Sequence, residues 1–199
     1  QNGMVAALPA GAAHFGGDSY LLMNPQPNLM KRGEIGSLQR RDIDFLFINF
    51  STAHPHGMIL WSSQDEEFVG VGLERGLVKL AWSWKGEEMT VVTLPGATVA
   101  DGNWHDITVN FSSDNITVWS DRGDPLSVLS DGQQPILTDG IIHLGGFPNP
   151  KTTAEETHGI YKERFQGCVS EIVWTDHSSV TDFTQYSGEN IRSCPIFGN

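Results

Sequence analysis

Arg122-Gly123-Asp124 sets a guanidinium and a carboxylate on either side of one glycine, the tripeptide that integrins recognise. It follows the strand-like NITVWSD (115–121), where a hairpin tip and an exposed setting are expected. Gly-Asp is also ordinary turn chemistry, and Pro125 stiffens the exit. Asn49, Asn110 and Asn115 each open an Asn-x-Ser/Thr sequon, the acceptor for an N-linked glycan in a secreted protein. Asn49 follows Phe45 and Phe47 on one strand face and is expected to be poorly accessible. Asn110 points opposite Ile107, Val109 and Phe111, hence outward, and Asn115 falls in a turn, so these two are the glycan candidates. Cys168 and Cys194 are the only cysteines. They are too few for a disulfide scaffold, and without Cys-x-x-Cys a structural zinc site is not expected. One bridge between them in an oxidising compartment and a pair of buried free thiols in a reducing one both fit the residues, the bridge better.

Catalytic constellations fail. Gly-x-Ser-x-Gly, His-Glu-x-x-His and Gly-x-x-x-x-Gly-Lys are absent. Gly70-Val71-Gly72 through Gly76 resembles a dinucleotide loop only superficially: its third glycine is one place late, and the stretch alternates as a strand does. His54-Pro55-His56 lacks a third metal ligand and reads as two exposed loop histidines. Glycosidases of the jelly-roll type need carboxylates at alternate positions of one strand, and Asp42-Ile43-Asp44 is the nearest approach, without a third. The chain is not expected to be an enzyme.

Charge narrows the partners. Twelve basic residues against 24 acidic ones give a net charge of −12, opposite to what nucleic acid or heparin requires of a binding surface. Lys31-Arg32, Arg40-Arg41 and Lys162 with Arg164 are short clusters that read as solvated surface. No apolar run reaches the roughly 18 residues of a membrane span, so no membrane insertion is expected. QNGMVAALPAGAAHF lacks a basic leader and is broken by Gly and Pro; it does not read as a signal peptide, and the chain is expected to be part of a larger modular protein.

The elements that must position these residues are strands. IDFLFINFS (43–51), GMILWSSQ (57–64), EFVGVGLERG (67–76), LVKLAWSW (77–84), EEMTVVTL (87–94), HDITVNF (105–111), NITVWSD (115–121) and IIHLGG (141–146) follow at short spacing. LVKLAWSW alternates, placing Val78, Leu80, Trp82 and Trp84 on one face. Glu74-Arg75-Gly76 and Ser113-Asp114-Asn115 read as turns, so the fold class is all-β, an antiparallel sandwich. MNPQPNLMKRG (23–33) and NPKTTAEETHG (149–159) read as loops, and no 3.6-residue period is sustained. The tryptophans Trp61, Trp82, Trp84, Trp104 and Trp119 are expected mostly in the core.

Several of these stretches together resemble the laminin G-like domain of laminin α chains, perlecan, agrin and neurexins. Gly57-Met58-Ile59-Leu60-Trp61 is similar to that family's G-x-L-L strand, and Glu67-Phe68-Val69 through Leu73 and Gly76 to its D-F hairpin. Asp101-Gly102-Asn103-Trp104-His105 matches D-G-x-W-H, His143-Leu144-Gly145-Gly146 the apolar-G-G element, and Phe165-Gln166-Gly167-Cys168-Val169 with Cys194 the closing F-x-G-C … C. The resemblance implies a concanavalin-like jelly roll of about fourteen strands, with residues 1–13 a flexible lead and 14–199 one domain. It also implies an extracellular setting, a Cys168–Cys194 bridge, and a non-catalytic module that binds a protein receptor or receptor-borne glycan through rim loops. Arg122, Gly123 and Asp124 are the receptor contact to test; a lectin-like domain for neutral sugar and a structural or oligomerisation spacer are the alternatives. The family's calcium site would place its first acidic ligand on Glu67, its second on Leu137, and backbone carbonyls on Trp84 and Pro135. Leucine has no side-chain ligand and Asp139 lies two residues on, so the expectation is no cofactor, with Glu67 and Asp139 as weak calcium candidates.

Overall fold

The computed structural model describes residues 8–23, 45–84, 87–112, 114–130, 141–174 and 179–195. Among them are twelve strands and one short helix. The strands are β1 (Ala13–Met23), β2 (Phe45–Ser51), β3 (Gly57–Gln64), β4 (Glu67–Glu74), β5 (Leu77–Ser83), β6 (Thr90–Thr93), β7 (Trp104–Phe111), β8 (Asn115–Ser120), β9 (Leu126–Leu129), β10 (Ile142–Leu144), β11 (Gln166–Trp174) and β12 (Ser187–Ser193). The helix, α1, is Thr153–Glu156. The fold is the antiparallel sandwich that the strand spacing calls for, in the jelly-roll arrangement that the resemblance implies.

All ladder pairs are antiparallel, on the path β6-β5-β4-β3-β10-β1-β11-β2-β7-β8-β9 with β12 alongside β1. The path folds over at β1, because that strand serves both layers. Its first half pairs with β11 from Ala13↔Val169 to Gly16↔Gln166, and its second half with β10 from Leu21↔Leu144 to Met23↔Ile142. Between the halves the register with β12 breaks, at a point where Gly17 takes φ +90°. A Cβ there would meet the Gln166 side chain at 3.0 Å, so glycine meets both the backbone and the space requirement.

Side-chain alternation then fills the space between layers. Leu46, Ile48 and Phe50 of β2, Ile107 and Val109 of β7, and Ile116 and Val118 of β8 face Leu60, Val69, Val71, Val78 and Leu80 across a single core. Leu8, within residues 1–13 expected as a lead, packs against it, and the Pro9 carbonyl accepts from the Phe183 N–H at 3.2 Å.

A second apolar cluster lies on the outside of the first layer. Met58, Trp61, Phe68 and Ala81 point away from the main core and are covered by Phe147, Ile160 and Tyr161. The covering segment, residues 147–161, includes the stretch expected to be loop; it contains α1, whose Thr152 cap accepts from the Glu155 N–H. Tyr161 donates its hydroxyl to the Lys79 carbonyl at 2.6 Å, and Lys79 Nζ donates back to the Ile160 carbonyl at 2.9 Å. Gly70 and Gly72 lie beneath the Trp61 and Tyr161 rings, which explains two glycines in a strand interior.

Candidate functional site

The β8–β9 hairpin presents Arg122, Gly123 and Asp124 at its tip, all three exposed, as is Pro125. The tip is fixed at its root. The Gly123 N–H donates to the Ser120 carbonyl at 2.9 Å, and Asp121 adopts φ +53°. The Asp121 N–H donates to the Asp106 carbonyl, while Asp121 Oδ1 accepts from the Asp106 N–H at 2.9 Å. Asp121 Oδ2 lies 2.7 Å from His105 Nδ1, and the other ring nitrogen lies 2.8 Å from Asp101 Oδ1.

His105 therefore clamps two loops together. A neutral imidazole donates from only one nitrogen, so holding two carboxylates at once requires the imidazolium. Partial burial disfavours that charge, but the bonds to Asp121 and Asp101 outweigh it and hold the pKa above the usual histidine value. The His105 bond, helped by the Asn103 N–H, pulls Asp101 down to about 2. Asp101, His105 and Asp121 form a cluster that no motif search picks out. Its signal is the register of β7 on β8, which sets Ile107 against Ser120 and so brings Asp121 alongside Asp106.

Away from this rim, a cleft of about 760 Å³ opens beside the β3–β4 turn. Among the described residues, Asp65, Glu66, Glu67, Glu87, Glu88, Glu155 and Glu156 line it with His158, and neither lysine nor arginine does. The His158 ring lies 5.3 Å from Phe68, which stacks on Trp61 at 4.6 Å. Glu67 thus sits in an acidic rim, while Asp139, Leu137 and Pro135 lie outside the described residues. Among the described residues no group of three or more acidic, histidine or cysteine side chains has the geometry to hold a metal ion.

The remaining candidates separate cleanly. Cys168 and Cys194 are bonded, S–S 2.01 Å with Cα atoms 5.8 Å apart, closing β11 onto the end of β12. Asn49 is engaged on both sides, donating to Asp106 and accepting from Ser170. Asn110 is exposed on the outward face of β7, and Asn115 is half-buried in the β7–β8 turn, its N–H accepted by Ser112 Oγ at 3.0 Å. His56 is exposed and caps a turn: its Nδ1 accepts from the Arg75 N–H at 3.3 Å, where Arg75 and Gly76 take φ +54° and +77°. Arg164 reaches the Phe147 carbonyl at 2.9 Å and Asn149 Oδ1 at 3.3 Å, a cross-link of the covering segment. Lys31-Arg32, Arg40-Arg41 and Asp42-Ile43-Asp44 lie outside the described residues.

Three of the five tryptophans meet the expectation that they lie mostly in the core, and two depart from it. Trp61, Trp82 and Trp84 are buried, but Trp104 is 47% exposed on the rim beside Ser51. Trp119 is half-buried on the outward face, opposite Ile116 and Val118. Alternation assigns a side chain to a face, and an indole can lie flat on the wet one.

Comparison with known proteins places these features in context. A family model described as "Laminin G domain" matches residues 50–177. "Protein eyes shut" of Drosophila melanogaster is 31% identical over 215 residues, covering 93% of this chain and 10% of that protein. "Basement membrane proteoglycan" of Caenorhabditis elegans is 22% identical, covering 92% of this chain and 5% of that protein. The solved mouse laminin alpha1 chain, domains LG4-5, superimposes with a TM-score of 0.73 at 18% identity, covering 96% of this chain and 48% of that one. The chain thus spans a tenth or less of the curated relatives it matches.

Proposed function

The chain belongs to the laminin G family, a class of non-catalytic modules in extracellular proteins, and from that premise we propose that it is a recognition module whose rim loops bind a cell-surface protein receptor. The observation that carries this reading is the Arg122-Gly123-Asp124 tip. Its two opposite charges are exposed, its root is fixed by Asp121, and Pro125 limits the exit. A rigid scaffold that holds a short charged loop reduces the ordering cost of binding. The net charge of −12 disfavours the polyanionic glycans that would otherwise compete for such a module.

Adhesion of integrin-bearing cells to the immobilised domain tests it. Asp124→Ala should abolish adhesion while leaving the thermal unfolding midpoint unchanged; undiminished adhesion of a folded Asp124→Ala protein would remove the reading.

The exposure of Trp104 favours one second reading, stacking of a neutral sugar at the rim. A glycan array on which wild type and Trp104→Ala both stay dark would dispose of it.

A further inference from the structure

The outward face of the second layer carries an aromatic patch with a glycan acceptor at its edge. On this face Asn110 stands directly opposite Phe45 on β2 and Thr117 on β8. Two residues back, Thr108 stands between Phe47 and Trp119. Directly opposed Cβ atoms lie about 5 Å apart and diagonal ones about 7–8 Å. Phe45, Phe47 and Trp119 therefore surround Asn110 within side-chain reach. All three are half-buried, and Thr108, although it points outward, is only 7% exposed. Phe47 and Trp119, its partners in the two ladders, each keep part of their surface exposed. Beyond Thr117, Ser127 Oγ meets Thr117 Oγ1 at 3.0 Å, and Leu129 of the same face is 83% exposed.

Asn110-Phe111-Ser112 is a sequon, and its asparagine is exposed on strand β7. We propose that Asn110 carries an N-linked glycan whose first sugars lie over the Phe45, Phe47 and Trp119 side chains and cover this face. The chemistry needs a lipid-diphosphate-linked oligosaccharide donor. Asn110 Nδ2 forms a bond to the anomeric carbon, the anomeric C–O bond to the diphosphate breaks, the lipid diphosphate leaves with that electron pair, and the amide loses one proton. A sugar ring has an apolar face of C–H bonds and a hydroxyl edge. Laid across this patch it would shield the aromatic surface and keep its hydroxyls in water. Asn49, on the same face two rows away, is excluded: a glycan on its nitrogen would displace the bond to Asp106.

The inference rests on the extracellular reading above, and one experiment separates the two. The domain is secreted from a glycosylating eukaryotic host and its sequons are mapped by glycopeptide mass spectrometry. Thermal unfolding is then compared for wild type, Asn110→Gln, Trp119→Thr and the double variant. A glycan at Asn110 and none at Asn49 is expected. Asn110→Gln should lower Tm by about 2–4 °C in the presence of Trp119, the shift that accompanies loss of one modest contact in a domain of this size. In the Trp119→Thr background it should change Tm by less than half as much. Equal drops in both backgrounds, or a glycan on Asn115 alone, overturns the inference and leaves the extracellular reading standing. Secretion with every sequon empty overturns the inference and counts against that reading as well.

Discussion

Gly72→Ala tests the packing of the covering segment against the outer face of β4. A Cβ at Gly72 would lie 2.6 Å from the Gly57 carbonyl oxygen and 2.6 Å from a Tyr161 ring carbon. The first of these is backbone, paired in the β3–β4 ladder through Gly57↔Leu73, and cannot turn aside. The second belongs to a ring pinned by its hydroxyl bond to the Lys79 carbonyl. Overpacking of this kind costs about 1–3 kcal/mol. Moving Tyr161 also breaks a buried hydrogen bond, worth about 1 kcal/mol. A total of about 2–4 kcal/mol corresponds to a Tm loss of roughly 5–15 °C in a domain of this length. Differential scanning calorimetry reads it directly. The Gly70→Ala variant meets only ring atoms, Trp61 at 2.6 Å and Tyr161 at 2.9 Å, so combining it with Trp61→Leu should cost less than the sum of the two. A Gly72→Ala protein that melts within 2 °C of wild type (about 1 kcal/mol or less) would mean that the segment does not rest on these glycines.

The other expectations follow from the clamp and the bridge. Replacing Cys168 and Cys194 by serine opens a link spanning 26 residues, worth about 3.5 kcal/mol by loop entropy, and should lower Tm by about 10 °C; equal Tm with and without reductant would contradict it. His105 has a raised folded pKa, so its contribution is fully present below the ordinary value near 6.5 and is lost as pH rises through the folded one. Stability measured from pH 6 upward should therefore fall in wild type and stay flatter in His105→Gln; matching profiles would dismiss the clamp. Asp101 has a lowered pKa, so its contribution is present above the ordinary aspartate value near 3.8 and lost as pH falls toward about 2. Asp101→Asn should flatten that acid limb and also lower the His105 pKa followed by ring-proton NMR.

Period-two alternation carried most of the fold because one face of each strand meets a common core. LVKLAWSW assigned Val78, Leu80, Trp82 and Trp84 to that core, and all four are buried. What alternation cannot say is whether the other face is wet. Ala81, Gly70 and Gly72 look like indifferent positions in the sequence, yet they sit under a segment about 80 residues downstream. The pattern of EEMTVVTL predicts a strand over 87–94, but only Thr90–Thr93 is one, and Glu87, Glu88 and Met89 line the acidic cleft instead. The His105 clamp is half local and half remote: Asp101 is visible four residues away, whereas Asp121 becomes a partner only once the hairpin register is known. Two cysteines allow a single pairing, so the residues alone favoured the bridge, and the resemblance added that Cys168 belongs to a closing F-x-G-C strand.

The proposed placement of recognition on the rim rests on what already lies on the two faces. The outer face of β3, β4 and β5 is largely covered by the segment from Phe147 to Tyr161, through its aromatic contacts and Lys79 bonds, and what opens beside that segment is the acidic cleft. The outer face of β2, β7 and β8 holds the aromatic patch around Asn110, which a glycan would close. A partner that needs exposed, fixed and chemically distinctive groups then meets them where strands end. There the His105 clamp joins the 101–105 loop to the hairpin that carries Arg122, Gly123 and Asp124. Trp104 stands exposed in that same loop, and its position on β7 is set by the Ser51↔Trp104 pair. Clamp and tip share Asp121, so deprotonation of His105 would loosen the root of the tripeptide without touching the tripeptide itself. Receptor affinity should then weaken over the same pH range in which His105 titrates, and it should weaken at all pH values in His105→Gln.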